Sequence, residues 1–221
     1  MSMVKSERTF LPAAGRDWLL PLYDPFTRLF GFDAPRQALL DQAAVQPHHR
    51  VLDIGCGTGT LTVRIKQQHP DVDVVGLDPD PAALARAQRK AERAGVTVRF
   101  DLGFADALGY GEARFDRVFS SMMLHHLAAD EKENTLREIH RVLKPGGRLE
   151  LLDFAGPHTG AHGSLGRLIH SHRRLLDHEE GRMLALMTGA GLVARKGGRR
   201  RTLFGEVDFY QAGRGRHSRR S

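Results

Sequence analysis

Short apolar runs alternate with segments of helical spacing along most of the chain. Five runs have the length and continuous hydrophobicity of buried strands, and between them apolar residues recur every three or four positions. The runs predict strands at Val51–Ile54, Val72–Leu77, Val96–Phe100, Phe115–Ser120 and Arg148–Phe154, and the segments between them predict helices at Leu61–Gln68, Ala82–Ala94 and from Asp130 to Leu143. A capping box opens the last helix, with Asp130 as the cap and Glu133 reaching back. Strands and helices in this order predict an α/β fold with a parallel sheet.

The first predicted strand ends in a glycine-rich turn. Asp53 is followed by Gly55, Gly57 and Gly59, each separated by one residue, and a predicted helix begins directly afterwards. Glycine lets a ligand approach the backbone closely, and the start of the helix turns free N–H groups toward the same place. This arrangement is typical of nucleotide-binding α/β proteins, although the dinucleotide pattern GxGxxG needs a glycine where Thr60 stands.

Two further carboxylates follow the next two strands. Asp78, with Pro79 after it, ends the second strand, where a carboxylate can accept hydrogen bonds from both ribose hydroxyls of an adenosine. NAD-binding proteins use the same position, so Asp78 predicts adenosine without selecting the cofactor. Asp106 follows the third strand, where it can accept a hydrogen bond from the adenine amino group while Phe104 or Ala107 packs near the ring. The alternative is that Asp106 caps the next short helix.

Together with the later segments LHHL and LREIHRVLKPGGRLELLDF, these features resemble the class I methyltransferases that depend on S-adenosylmethionine (SAM). The subgroup they resemble is the ubiquinone and menaquinone biosynthesis type (methyltransferase type 11-like), and the resemblance covers residues 41–154 well. It implies a doubly wound, seven-stranded, mostly parallel Rossmann-like sheet with an antiparallel last strand and a helical cap. The candidates for the last two strands are Leu192–Arg195 and Gly205–Gln211, with residues 198–201 between them and a helix at Gly181–Ala190 before them.

The resemblance also implies a SAM site in which each motif residue has a role. The backbone of the glycine turn holds the methionine end, one carboxylate lies near its amino group, and the others hold the ribose and the adenine. In this order the residues are Gly55, Cys56 and Gly57, then Asp53, Asp78 and Asp106, and Ser120 is expected under the sulfonium. We interpret Cys56 as a small filler of the turn and not as a nucleophile.

Methyl transfer from a sulfonium depends mainly on orientation, and a general base is needed only for a weak nucleophile such as a phenol or a carbon acid. His126, or else His125, stands at the end of the fourth strand, where the acceptor would enter, and is our candidate base. The alternative is that either imidazole caps or packs the next helix. Tyr23, in the apolar segment 17–32, is a third candidate catalytic residue.

We expect three parts in the chain. Residues 1–45 are predicted to form a helical cap or lid that ends in a helix at Pro35–Val45, residues 46–213 the SAM-binding domain, and residues 214–221 a basic tail. Residues 155–180 are predicted to be a substrate-cap insertion, and they hold five of the twelve histidines. A zinc site there is an alternative, but no known ligand spacing is present; we therefore predict no metal.

The net charge of +7 is concentrated near one end of the chain. Of the 33 basic and 26 acidic residues, nine basic and two acidic ones fall between Arg195 and Ser221, so the first 194 residues carry equal numbers of both. A basic segment after a folded domain is usually a solvated end. The alternative is a contact with a polyanion, but the chain has Ser120-Ser121-Met122-Met123 where DNA-methylating enzymes carry their N/D-P-P-Y/F motif. A nucleic-acid partner is therefore not expected.

Composition excludes several other classes. There is no apolar run of about 18 residues and no cationic-then-apolar leader, so we expect a cytoplasmic protein without a membrane span. The single cysteine excludes an internal disulfide. We therefore predict an enzyme that transfers a methyl group from SAM to a small, partly apolar molecule. A homodimer is the candidate assembly. The alternatives are a SAM-binding protein without catalysis, an RNA or protein methyltransferase, and, third, an NAD-binding protein.

Overall fold

Seven strands form one sheet in the computed structural model, which describes residues 32–155, 180–203 and 205–215. They are β1 (Arg50–Ile54), β2 (Asp73–Asp78), β3 (Arg99–Leu102), β4 (Phe115–Ser121), β5 (Leu143–Phe154), β6 (Leu192–Thr202) and β7 (Gly205–Arg214), in the spatial order β3-β2-β1-β4-β5-β7-β6. Neighbours from β3 to β5 pair in parallel, whereas β7 is antiparallel to both β5 and β6. The predicted doubly wound, seven-stranded sheet with an antiparallel last strand is confirmed.

Helices cover both faces of this sheet. They are α1 (Asp33–Gln42), α2 (Thr60–Gln68), α3 (Pro81–Arg93), α4 (Ala129–Val142) and α5 (Glu180–Gly189), with a short 3₁₀ turn at Leu124–His126. Asp80 caps α3 as its spacing before Pro81 predicts, because its side chain accepts a hydrogen bond of 2.8 Å from the backbone N–H of Ala82. Within the described residues, none of the helices is both long and apolar enough to cross a membrane.

Alternation along each strand divides the core into two layers. In β1, Leu52 and Ile54 pack with α4 and α5 on one face, while Val51 packs with α1, α2 and α3 on the other. Successive residues of a strand point to opposite faces, so a strand covered on both sides is apolar throughout. Because β1 pairs in parallel with both β2 and β4, the carboxyl ends of the three strands meet at one edge of the sheet, which is where the glycine turn lies.

Two arginines join α1 to the opposite edge of the sheet. Arg117 is buried and donates from Nε to the carbonyl of Ala43 at 2.7 Å and from Nη2 to that of Ala44 at 3.3 Å. Arg148 donates to the same Ala43 carbonyl at 2.8 Å. The last carbonyls of a helix have no partner within the helix, and guanidinium groups satisfy both their lone pairs and the negative end of the helix dipole.

The predicted length of the sixth strand was wrong. Residues 198–201 do not separate the last two strands, because β6 continues to Thr202 and Arg199 lies opposite Asp208 of β7. The pairing register shifts between Lys196 and Gly198, so a bulge takes up the extra residue and the ladder resumes after it. The glycine pair therefore bends the strand without ending it.

Two local predictions were also wrong. The third strand starts at Arg99 and not at Val96, because the N–H of Val96 bonds to the carbonyl of Ala91 and completes the end of α3. The helix α4 starts at Ala129, so Glu131 reaches back to the N–H of Ala128 at 2.7 Å, while Glu133 pairs with Arg137. The predicted capping box was therefore displaced by two residues.

Candidate functional site

A cleft opens at the carboxyl edge of β1, β2 and β4. Seven of the nine predicted cofactor residues line it: Asp53, Gly55, Cys56, Gly57, Asp78, Pro79 and Asp106. Ala107 and Ser120 are not among its lining residues. The three carboxylates at the ends of consecutive motifs therefore face one cavity, as the sequence predicts.

The glycine turn forms the floor of the cleft. Gly55 has a φ of +67°, and a Cβ there would lie 2.3 Å from the Cγ of Met123, so only glycine fits. Gly57 also has a positive φ, of +53°, but its missing Cβ would meet nothing within 4 Å. The backbone at Gly57 is thus open to a ligand, whereas Gly55 is closed by the opposite wall.

Asp78 ties β2 to this turn. One carboxylate oxygen accepts a hydrogen bond of 2.8 Å from the N–H of Gly57, and the other accepts one of 2.9 Å from the N–H of Asp80. Burial raises the pKa of Asp78, and these two hydrogen bonds oppose the shift. Each carboxylate oxygen has a second lone pair, so the side chain can still accept hydrogen bonds from two hydroxyl groups of a ligand in the cleft.

Asp53 lies deeper, at the end of β1, and is only 2% exposed. Its Oδ2 accepts a hydrogen bond of 2.6 Å from the hydroxyl of Thr62 in α2. Burial raises the pKa of Asp53 to about 7, although the Thr62 hydrogen bond and the positive charge of Arg36 both act to lower it. Burial and the nearby carboxylates also raise the pKa of Cys56, which keeps its thiol neutral and fits its interpretation as a filler.

Arg36 is a cleft residue that the sequence analysis did not identify. It projects from α1, is 6% exposed and lines the cleft together with Asp53. Its Nη1 has no hydrogen-bond partner among the described residues. A buried guanidinium normally has a full set of acceptors, so this donor is available to an anionic group in the cleft.

The segment that carries Asp106 is held from behind by a pair of residues in α4. Glu138 accepts a hydrogen bond of 2.8 Å from the N–H of Leu108. Arg141 donates to the carbonyls of Leu108 and Tyr110 at 3.0 and 2.7 Å, and its Nε lies 2.7 Å from Glu138. We call Glu138 and Arg141 the α4 clamp. It fixes the backbone directly after Asp106, while Asp106 itself faces the cleft.

The two serines that end β4 point in opposite directions. Ser120 is fully buried within the sheet, and Ser121 lines the cleft. Met122 follows with a φ of +59°, an unfavourable value for a side chain of this size, and its N–H bonds to the carbonyl of Leu152 at 2.8 Å. Strained backbone of this kind is concentrated at functional sites, and here it turns Met122 and Met123 into the cleft wall.

The two candidate base residues differ in the same way. His126 lines the cleft, whereas His125 is 5% exposed and does not. The Nδ1 of His125 lies 2.6 Å from Oδ1 of Asp153, and its backbone N–H donates to the other oxygen at 3.1 Å. His125 therefore matches the packing alternative and supports His126, whose ring centroid is 4.0 Å away. Tyr23 and residues 156–179 lie outside the described residues.

Other lining residues could only be found from the fold. Ser121 and Glu131 line the cleft, and Lys90 of α3 holds the glycine turn by donating to the hydroxyl of Thr60 at 2.7 Å. None of the three belongs to a motif, and Arg36 and Lys90 reach the site from helices far away in sequence. Met122 and Met123 had a signal, since the two methionines directly follow the fourth strand.

The cleft fits an adenosine that carries an amino acid. At one end, the buried acid Asp53 and the guanidinium of Arg36 offer partners of opposite charge to an ammonium and a carboxylate. At the other end, Asp78 and Asp106 offer acceptors to hydroxyl and amino groups. The open backbone at Gly57 lies between them. SAM has all of these groups in this order.

Comparison with known proteins gives the same result from sequence. A family model described as a methyltransferase domain matches residues 51–147. The demethylmenaquinone methyltransferase of Thermus thermophilus is 40% identical over 153 residues, which are 68% of this chain and 69% of that protein. The enzyme of the same name from Deinococcus radiodurans is 35% identical over 157 residues, with 70% and 64% covered. A ubiquinone/menaquinone biosynthesis C-methyltransferase of Pasteurella multocida is 31% identical, and the chain spans 60% of its length.

Solved structures agree on the fold. A SAM-dependent methyltransferase from Aquifex aeolicus superposes with a TM-score of 0.70 over 90% of this chain and 99% of its own, at 18% identity. The YcgJ protein of Bacillus subtilis gives a TM-score of 0.65 over 81% and 97%, at 20% identity. At these identities the likeness concerns the fold alone.

Proposed function

The chain belongs to the class I SAM-dependent methyltransferases of the ubiquinone and menaquinone biosynthesis type, and on this premise we propose that its acceptor is a small aromatic quinol of the demethylmenaquinol kind. The observation that carries the proposal is the wall built by the end of β4 and the start of α4. Its residues are Ser121, Met122, Met123, His126, Leu127 and Glu131, and only His126 and Glu131 among them are ionisable. A wall of this composition suits a flat, apolar ring with one hydroxyl group to recognise.

We assign the cofactor contacts from the geometry of the cleft. Asp53 and Arg36 take the ammonium and carboxylate of the methionine end, and the backbone from Gly55 to Gly57 lies along it. Asp78 accepts the ribose hydroxyls, and Asp106 accepts the adenine amino group. Ser121 takes the place that the sequence analysis gave to Ser120, because it is the serine of β4 on the cleft wall.

The residues of the chain contribute orientation and one proton acceptor. Bound SAM supplies a methyl group already activated by its positive sulfur. Met122, Met123 and Leu127 hold the acceptor ring against this group and exclude water. The imidazole of His126 is placed to accept the proton that the quinol loses when a new carbon–methyl or oxygen–methyl bond forms. Since Glu131 already accepts the N–H of Ala128, His126 is the better candidate.

Methyl transfer to a reduced naphthoquinol tests the proposal. The purified protein, SAM with a deuterated methyl group and a demethylated naphthoquinol are incubated under anaerobic reducing conditions, and mass spectrometry with NMR then locates the label. We expect a singly methylated product with the label on a ring carbon. Replacing His126 by Ala should lower turnover about a hundredfold with unchanged SAM affinity, whereas replacing the half-buried His69, which does not line the cleft, by Ala should change neither.

Other acceptors are tested in parallel. Phenols, amines, thiols and a transfer RNA are offered under the same conditions. Methylation of RNA but not of quinols would contradict the proposal in favour of the nucleic-acid alternative. Labelled phenol ethers without ring methylation would keep the small aromatic acceptor and change the acceptor atom to oxygen.

A further inference from the structure

The turn between β6 and β7 lies on the same edge of the sheet as the cofactor cleft. Val207, near the start of β7, pairs with Phe154 at the end of β5, so the β6–β7 turn is at the carboxyl edge. β6 is the outermost strand and is three strands from β4. With a spacing of about 4.8 Å between strands, the turn is displaced by about 14 Å from the cleft wall along this edge.

An apolar side chain stands at this turn. Leu203 is 74% exposed, which is the largest exposure of any large hydrophobic residue in the described part of the chain. Val193, at the other end of β6, is 71% exposed. Single exposed apolar residues are common on protein surfaces and alone would indicate nothing. Leu203 differs from such residues because the side chains around it are basic.

The turn is strongly basic. Arg200 and Arg201 directly precede Thr202 and Leu203, and both are exposed. Alternation along β6 places their side chains on opposite faces of the hairpin, so the turn is cationic on both sides. Arg201 is 90% exposed in its side chain and contacts Glu206 only at 3.4 Å, a distance at which solvent screens most of the attraction.

The hairpin behind the turn is held rigid by buried ion pairs. Arg199 donates to both oxygens of Asp208 at 2.6 and 2.9 Å, and Lys196 lies 3.1 Å from the same carboxylate. Burial alone would raise the pKa of Asp208, but the hydrogen bonds from Arg199 and Lys196 outweigh it and lower the pKa below its usual range. These two cations are committed to the fold, which leaves Arg200 and Arg201 directed outward.

We propose that the β6–β7 turn docks on an anionic lipid surface and presents the cofactor cleft to it. The proposal rests on the proposed function, since an apolar quinol acceptor would be drawn from lipid. Exposed arginines attract anionic headgroups, and an adjacent aliphatic side chain enters the region between headgroups and acyl chains. Arginines on an edge strand can also serve only to prevent aggregation, but this purpose does not require an exposed leucine at the turn.

Binding to vesicles tests the docking. The full chain is sedimented with vesicles of phosphatidylcholine, with and without phosphatidylglycerol. We expect binding to the anionic vesicles only. The double variant R200Q/R201Q should bind about tenfold more weakly, and Leu203→Ser about threefold more weakly. The melting temperatures of the variants should match the parent, since neither position is buried.

A matched control separates a local surface from net charge. Arg89 and Arg93 are exposed on α3, which packs on β2 and β3 at the other end of the sheet. The variant R89Q/R93Q makes the same change in charge and should bind vesicles like the parent. Equal losses in both double variants, or no loss in R200Q/R201Q, would overturn the proposal. So would tighter binding to RNA than to vesicles without any effect of Leu203→Ser.

Turnover gives an independent measurement. A prenylated naphthoquinol embedded in anionic vesicles should be methylated about tenfold more slowly by R200Q/R201Q, while an unprenylated naphthoquinol in solution is methylated at the parent rate. Slower turnover of both acceptors would contradict the docking. If the parent methylates neither acceptor, the proposed function fails, and vesicle binding still decides the docking by itself.

Discussion

Asp53 is a buried carboxyl group whose charge state should control SAM binding. Its pKa of about 7 means that the free protein holds a proton there at pH 6, whereas pairing with the ammonium of SAM requires the carboxylate. SAM affinity should therefore rise about tenfold per pH unit up to pH 7, and fall again above about pH 8 as the ammonium deprotonates. Calorimetry in buffers of different ionisation enthalpy measures both the affinity and the proton released.

Two variants check this interpretation. Asp53→Asn keeps an acceptor for the Thr62 hydroxyl but should weaken SAM binding and remove the rise in affinity below pH 7, while the fall above about pH 8 stays. Because a folded-state pKa above 3.8 lowers stability as pH rises from about 4 to 7, the same variant should unfold at pH 8 with a free energy higher by on the order of 4 kcal/mol. Arg36→Gln should weaken SAM binding at every pH and move the rise in affinity to higher pH, because the charge of Arg36 lowers the pKa of Asp53. A flat profile in the parent protein would contradict the assignment of Asp53.

At the residue scale, the sequence predicts identities better than directions. Asp53, Asp78 and Asp106 each follow a recognisable strand, and all three line the cleft. Ser120 was the predicted cofactor residue, but Ser121 is the serine that lines the cleft, since a shift of one residue moves a side chain to the other face of a strand. Arg36 could not have been predicted, since only the packing of α1 on the sheet brings it beside Asp53.

The α4 clamp connects a whole helix to the proposed adenine site. Arg141→Lys would lose the two-pronged contact with the carbonyls of Leu108 and Tyr110, since an ammonium cannot reproduce the guanidinium geometry. The segment after Asp106 would then be less ordered, and SAM affinity should fall about tenfold. Arg141→Lys should weaken the binding of S-adenosylhomocysteine more than that of S-inosylhomocysteine, because the second ligand lacks the adenine amino group. Calorimetry with both ligands measures this difference.

Arg137 provides the control for the clamp. It lies on the exposed side of the same helix and pairs with Glu133 at 3.0 Å. Arg137→Lys should leave the affinity for both ligands unchanged. Equal losses for the two ligands in Arg141→Lys would show general damage to the fold and would exclude a specific effect on the adenine site.

At the element scale, hydrophobic runs predict which strands exist but not where they end. β1, β2 and β4 were found within one residue at each end, because each is largely apolar on both faces. β5 begins at Leu143, five residues before the predicted Arg148, because the segment Lys144–Gly147 reads as a turn in the sequence. β6 was cut short at Arg195, because glycines and arginines do not resemble a strand. In the fold it continues, since the Gly197–Gly198 bulge preserves the pairing and Asp208 neutralises Arg199. Charge compensation across strands cannot be seen in the sequence of one strand.

At the scale of the whole molecule, the stability of the protein depends on the hydrogen bonds that join α1 to the sheet. Arg117→Lys should destabilise the protein by about 2 kcal/mol, because the buried guanidinium loses its paired contacts, which leaves the carbonyl of Ala43 with Arg148 alone and that of Ala44 without its arginine donor. Urea unfolding measures the loss. Arg114→Lys, at an exposed position three residues away, is the matched control and should change stability by less than about 0.5 kcal/mol. Equal stability of the two variants would show that the hydrogen bonds of Arg117 to the end of α1 do not stabilise the protein.

The fold as a whole could be predicted because local patterns agreed with one another. Alternating strands and helices, a glycine turn and three strand-end carboxylates all indicate one sheet topology. The acceptor side could not be predicted in the same way. It is built from the end of β4, the LHHL segment and the start of α4. LHHL indicates where this wall lies, but the shape of the wall depends on the strained turn at Met122.

The position of β7 has a consequence for biosynthesis. It is the last of the seven strands to leave the ribosome, yet it lies inside the sheet, between β5 and β6. In a nascent chain that already contains β5 and β6, these two strands must stay apart, because β7, which lies between them in the sheet, has not yet been made. Until it arrives, β5 has an unpaired edge, which is a place for wrong association with other chains. The emerging protein therefore has most need of a chaperone just before its final strand is available.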